Sequence, residues 1–139
     1  MKALDTNVLV RFSVQDDQKQ ASIANQLLID AEATKQPLFV SQLVVLELLW
    51  VLKSVYEVSR SDILIALNEL LSMSALEFQD QRVVRDFIID AQHNSYDLPD
   101  ALIAQVAYGR GCDTTLTFDK KAAKSSFFTK LQYSNHLLT

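Results

Sequence analysis

What most constrains this chain is an alternation. Four strand-like stretches of only a few residues, at 2–4, 38–40, 76–78 and 114–118, are separated by longer segments whose apolar residues recur at helical spacing. Ala21, Ala24, Leu27, Leu28 and Ala31 mark one helix over 18–34, and Pro37 then bounds the second strand. Residues 42–56 are apolar nearly all round, which predicts a helix buried on most sides, with Trp50 in the core. Ser59 with Asp62 resembles a capping box, opening a helix whose buried face is Ile63, Leu64, Leu67, Leu70 and Leu71. Val83, Val84, Phe87, Ile88 and Ala91 mark another, and a last one starts near Pro99 and runs to about Tyr108. Strands alternating with helices imply an α/β fold, with a parallel sheet covered on both faces. No internal repeat is visible.

The 139 residues suit one domain, 1–139, with an ample core. Two glycines and two prolines leave no room for a flexible linker or a phosphate-cradling glycine loop. Cys112 is alone, so neither an internal disulfide nor a multi-cysteine zinc site is expected, and a reducing compartment fits. No secretory segment is evident. The longest apolar run, Leu43 to Leu52, is broken by Glu47 and too short to cross a bilayer. A soluble cytoplasmic protein without membrane attachment is the expectation. The net charge of -4 speaks mildly against nucleic acid, but it is unevenly spread. Residues 1–100 carry 8 basic and 15 acidic side chains, a net of -7, while residues 101–139 carry 5 and 2, a net of +3. The basic excess lies in Arg110, Lys120, Lys121, Lys124 and Lys130, and such a cluster is often only a solvated face.

Four carboxylates stand out by position. The stretch Lys2-Ala3-Leu4 runs straight into Asp5-Thr6-Asn7. A helix beginning there would hold Asp5 at the carboxyl edge of a sheet, where α/β proteins build their sites. Asp is also a favoured N-cap, which accounts for Asp5 taken alone. Glu47 sits within "VLELLWVL" with no positive helical neighbour, so it must either turn to the surface or find compensation in the fold. In "DLPDALIA", Asp97 is placed to cap a helix, and Asp100 falls in its first turn, where the macrodipole favours a carboxylate. In "TFDKKA", Asp119 follows an apolar strand and can cap a short helix. Capping explains each piece. It does not explain why Asp5 and Asp119 both fall just past strands while Glu47 and Asp100 can reach the same sheet edge from helices.

Asp5-Thr6-Asn7, the isolated Glu47, "DLPDALIA" and "TFDKKA", in this order and in a chain of this length, resemble the PIN domain. The nearest resemblance is to the VapC-type toxin ribonucleases of bacterial and archaeal toxin–antitoxin pairs. It runs from Asp5 to about Lys121 and rests on the four-part spacing, since no single piece is diagnostic. The resemblance implies a three-layer α/β/α sandwich around a short parallel sheet. It implies that Asp5, Glu47 and Asp100 are metal-binding carboxylates, that Asp119 is a more variable fourth acid, and that Thr6, Asn7 and Thr117 support them. Pro99 departs from the small or aromatic residue often found before the third acid. It further implies cleavage of structured RNA such as transfer or ribosomal RNA, a homodimer, and inhibition by an antitoxin whose C-terminal segment lies across the active-site groove.

The residue chemistry is compatible with that reading. Oxygen ligands suit Mg2+ or Mn2+, and no His or Cys spacing competes for zinc. Such an ion lowers the pKa of a bound water and neutralises a leaving oxygen, as phosphodiester hydrolysis requires. His93 and His136 lie in no motif that would make either a general base and are expected at the surface. Lys120, Lys121 and Lys124, just past Asp119, are candidate contacts to an RNA backbone. Two other readings stand beside the toxin: a housekeeping PIN ribonuclease in RNA processing, and a noncatalytic module with a Mg2+-holding phosphoacceptor pocket. The second would want paired acids near the first strand, and Asp5 has no acidic neighbour.

Overall fold

The computed structural model describes residues 1–132, so His136 lies outside the described residues. Among them, six α-helices and four short strands follow one another as α1 (Thr6–Val14), α2 (Gln18–Ala33), β1 (Leu38–Val40), α3 (Gln42–Ser54), α4 (Arg60–Leu71), β2 (Leu76–Phe78), α5 (Gln81–Ala91), α6 (Leu98–Gly109), β3 (Thr115–Thr117) and β4 (Phe128–Lys130). One turn of 3-10 helix, Ala122–Lys124, lies between the last two strands. All strand pairs run parallel. Leu38 pairs with Leu76 and Val40 with Phe78, and Ala3 bridges to Phe39 on the other side of β1. Backbone hydrogen bonds of 2.9 Å, Leu4 N–H to the Phe39 carbonyl and Phe39 N–H to the Lys2 carbonyl, fix that first short segment. Thr115 pairs with Phe128 and Thr117 with Lys130 in a separate two-stranded ladder. This is the mixed α/β architecture with short parallel strands expected of an α/β/α sandwich.

The helices begin where short polar side chains accept orphan backbone N–H groups. Asp5, Asp17, Ser41, Ser59 and Asp97 each cap a helix start. Ser41 Oγ accepts from Val44 N–H at 3.2 Å. Ser41→Ala is therefore expected to lower stability by about 1 kcal/mol, read from the midpoint of urea unfolding. An unchanged midpoint would mean that water satisfies the Val44 N–H just as well.

The core is the sum of the inward helix faces. Leu9, Val40, Leu48, Leu49, Ile63, Leu67, Leu70, Val84, Phe87 and Ile88 are all fully buried in one cluster. The five apolar residues expected to face inward from α4 all do so. α3 differs from expectation. Leu43 and Trp50 are 78% and 57% exposed, and Glu47 lies exposed between them on the same side. The helix is thus buried on one side through Val45, Leu48, Leu49 and Leu52, and it leaves an apolar stripe outside. Apolar residues all round gave no periodicity to orient it, and only packing against α1 and α6 selects the buried face.

Candidate active site

Two elements bring carboxylates together. The first is the start of α6, where Asp97 caps the helix with Oδ2 on Asp100 N–H at 3.1 Å, and Pro99 occupies the opening turn. The second is the turn after β3. There Thr117 Oγ1 accepts from Asp119 N–H at 3.0 Å, and Asp119 Oδ1 accepts from Lys121 N–H at 2.7 Å and Ala122 N–H at 3.4 Å. Asp119 thus pins the turn that leads into the 3-10 helix, whose N-cap position is Lys121, and Oδ2 carries no hydrogen bond among the described residues.

Between these elements lies a cleft of about 520 Å³ lined by Asp97, Asp100 and Asp119 together with Lys53, Lys121 and Lys124. Tyr96, Ser125 and Phe128 complete much of its wall. Burial holds the Asp100 carboxyl above its usual range, the charges of Asp97 and Asp119 push it further the same way, and Lys53 pulls it back. Three acids on two elements therefore share one electrostatic environment. Asp100 receives no hydrogen bond on its carboxylate among the described residues, so the Lys53 charge is the one influence that offsets part of that cost.

Lys53, from the last turn of α3, places its Nζ 3.4 Å from Asp97 Oδ1. Both ends of this pair are substantially exposed, so it adds little to stability, and its consequence is to put a cation on the wall of an acidic cleft. Sequence reasoning missed Lys53, because its partner lies 44 residues away and no local pattern connects them.

The remaining candidates are not among the residues that line this cleft. Asp5 is exposed and accepts from Thr6 N–H at 2.8 Å, at the end of the segment bridged to β1. Thr6 is buried, while Asn7 lines a separate groove of about 190 Å³ between α1 and α2. Glu47 is exposed on α3. Neither Asp5 nor Glu47 lines the Asp100 cleft. Lys120 is exposed beside the cleft lining, and His93 is at the surface. Among the described residues, no group of three or more His, Cys, Asp or Glu side chains is placed to hold a metal ion.

The donor set nonetheless suits a hard cation. Mg2+ is usually held through only one or two carboxylates, with waters and substrate phosphate oxygens completing its octahedron. Asp100, whose carboxylate accepts no hydrogen bond among the described residues, and Asp119, with one free oxygen, have that character. Oxygen-rich and free of thiols, the cleft does not suit zinc.

Parallel strands joined by helices, with an acid-and-lysine cleft just beyond a strand end, define an α/β protein whose charged side chains gather in one cleft. A family model for the PIN domain matches residues 2–127, and the chain belongs to that family. PIN domains are generally nucleases and typically bind divalent metal ions. No curated protein and no solved structure matches the chain. No helix among the described residues is long and apolar enough to cross a membrane.

Proposed function

We propose that the protein is a Mg2+- or Mn2+-dependent endoribonuclease and the toxin of a toxin–antitoxin pair. The observation that carries the reading is the cleft in which Asp97, Asp100 and Asp119 face Lys53, Lys121 and Lys124. Asp100 and Asp119 would hold the ion, and Asp5 and Glu47, which do not line the cleft, are proposed as further acids of the site on the family resemblance alone. When bound, the ion supplies a water of lowered pKa and charge neutralisation at the scissile phosphate.

The chain's own residues do the rest. Asp97 fixes the first turn of α6 and so aims Asp100. Thr117 and the backbone N–H groups of Lys121 and Ala122 fix Asp119. Lys121 and Lys124 line the cleft and offer ammonium groups to the RNA backbone, with Lys120 beside them, on a protein whose net charge otherwise repels it. Replacing Lys120, Lys121 and Lys124 together with Gln is expected to weaken RNA binding and flatten its dependence on log salt by about 2 units, at about 0.7 for each phosphate no longer neutralised. Mn2+ affinity should barely move. A salt slope equal to the parent's would make these lysines a solvated face.

Structured RNA is the proposed substrate, a homodimer the proposed assembly, and the cytoplasm the proposed compartment. The proposed inhibitor is an antitoxin whose C-terminal segment crosses the cleft. The exposed Leu43 and Trp50 on α3 are in keeping with a protein partner. The test is to sequence the RNA ends that appear when the protein is induced in cells, against an Asp100→Asn control. New ends at defined positions, absent from the control, support the ribonuclease. A small DNA-binding protein encoded next door supports the toxin over a housekeeping enzyme, and identical ends in both cultures refute the activity.

A further inference from the structure

The turn that delivers Asp97 and Asp100, residues 92–97, contains no regular structure of its own. It is gripped from outside the cleft by Arg60, the first residue of α4. One guanidinium nitrogen, Nη1, donates to the Tyr96 carbonyl. The other, Nη2, donates to the Ala91 carbonyl and to Asn94 Oδ1, each at 3.0 Å. Asn94 in turn accepts from Tyr96 N–H at 3.1 Å and donates to the Asp90 carbonyl at 2.9 Å. Burial lowers the Arg60 pKa from its ordinary value while the charge of Asp97 works the other way, and a guanidinium stays charged in the fold. A planar fork spanning both ends of one turn fixes its width and its twist, which a single ammonium cannot do.

Tyr96 then carries the constraint across the cleft. Its hydroxyl donates to the Lys124 carbonyl at 3.1 Å, tying the α6 side of the cleft to the turn that bears Asp119, Lys121 and Lys124. Arg60 itself does not line the cleft.

We infer that Arg60 is a positioning residue for the nuclease site: by clamping the 92–97 turn it sets the placement of Asp97 and Asp100, and through Tyr96 the separation of the two walls. The inference rests on the cleft being the metal and RNA site proposed above. No charge partner is needed at Arg60 for this role, because every one of its acceptors is neutral.

The test compares Arg60→Gln, Arg60→Lys and Asn94→Ala with the parent in three measurements: Mn2+ affinity by calorimetry, kcat and KM for RNA cleavage, and amide exchange of residues 92–97. Outer partners of a metal ligand are commonly worth 10- to 100-fold, so Arg60→Gln is expected to weaken Mn2+ binding and lower kcat by about 10-fold or more, with KM changed far less. Exchange in the turn should accelerate. Arg60→Lys, which keeps the charge and loses the fork, should not rescue these effects. Asn94→Ala, which removes one arm of the clamp, should show the same pattern at smaller size, and it decides the matter if Arg60→Gln fails to fold. Variants that lose melting temperature but keep the parent's Mn2+ affinity and kcat would reduce Arg60 to a staple of the fold and overturn the inference. Full rescue by Arg60→Lys would overturn it too. If the parent binds Mn2+ but cleaves no RNA, the nuclease reading falls, while Mn2+ affinity and exchange still judge the clamp.

Discussion

Asp100→Asn is expected to abolish metal-dependent cleavage and yet leave the metal-free protein at least as stable as the parent at neutral pH. The first effect follows from removing the least satisfied carboxylate of the cleft. A metal's stabilisation of transition-state charge is worth several kcal/mol, which corresponds to about 1,000-fold in rate. The second follows from the sign of linkage. Burial and the neighbouring Asp97 and Asp119 raise the Asp100 pKa in the fold. The folded state therefore binds more protons than the unfolded chain between the ordinary Asp pKa and the raised one. The stability this represents is present below the ordinary pKa and is lost as pH rises through the raised value. At pH 7 the charged Asp100 is thus a burden that Asn removes. If Asp100 served only the α6 dipole, the substitution would cost roughly 0.3 to 1 kcal/mol with or without metal. Thermal melts of parent and variant in chelator and in Mn2+ separate the two cases. An equal loss in both buffers would weaken the acidic-site reading, whereas a gain in chelator and a smaller Mn2+ stabilisation in the variant would support it.

Glu47→Gln should also remove cleavage, by about 100-fold or more on the same electrostatic grounds, while leaving the melting temperature nearly unchanged. The side chain is exposed, and isosteric substitutions at such positions are usually within about 0.5 kcal/mol. The pairing of lost activity with an intact fold is what separates a functional carboxylate from a solubilising one. On a stripe with Leu43 and Trp50 outside, a single charge has an obvious solubilising use. Undiminished cleavage by purified Glu47→Gln protein would leave it with that use alone.

Helix starts were legible in the sequence because their causes are local. Ser59 and Asp97 cap helices whose first turns follow directly, and Pro99 sits in the opening turn of α6. The inward face of α4 was equally legible, because five apolar residues keep one helical phase. The face of α3 was hidden by its uniform composition. β4 was not foreseen: Phe128, Thr129 and Lys130 show no useful alternation over three residues, and their strand exists only because β3 offers a parallel partner. The cleft was half visible. Asp97, Asp100, Asp119 and the lysines after it came from motifs, but Lys53 and Arg60 act on groups 31 to 44 residues distant in the chain. Two of the Arg60 acceptors are backbone carbonyls, which every residue possesses and no side-chain pattern announces.

The parallel pairing of β4 with β3 has a consequence for the order in which the protein is made. Asp119, Lys121 and Lys124 lie on the ten-residue connection 118–127, and the strand that closes this connection comes after it in the chain. The core cluster is complete by Leu102, so a nascent chain can pack its helices while β3 is still without a partner. Leu131 N–H reaches the Thr117 carbonyl at 2.7 Å only once the chain has been extended past β4. A chain that ends before residue 128 therefore contains every residue of the core cluster but lacks the strand that pairs with β3. The acid-and-lysine wall that faces Asp100 thus depends on a stretch of chain that comes after the whole core cluster.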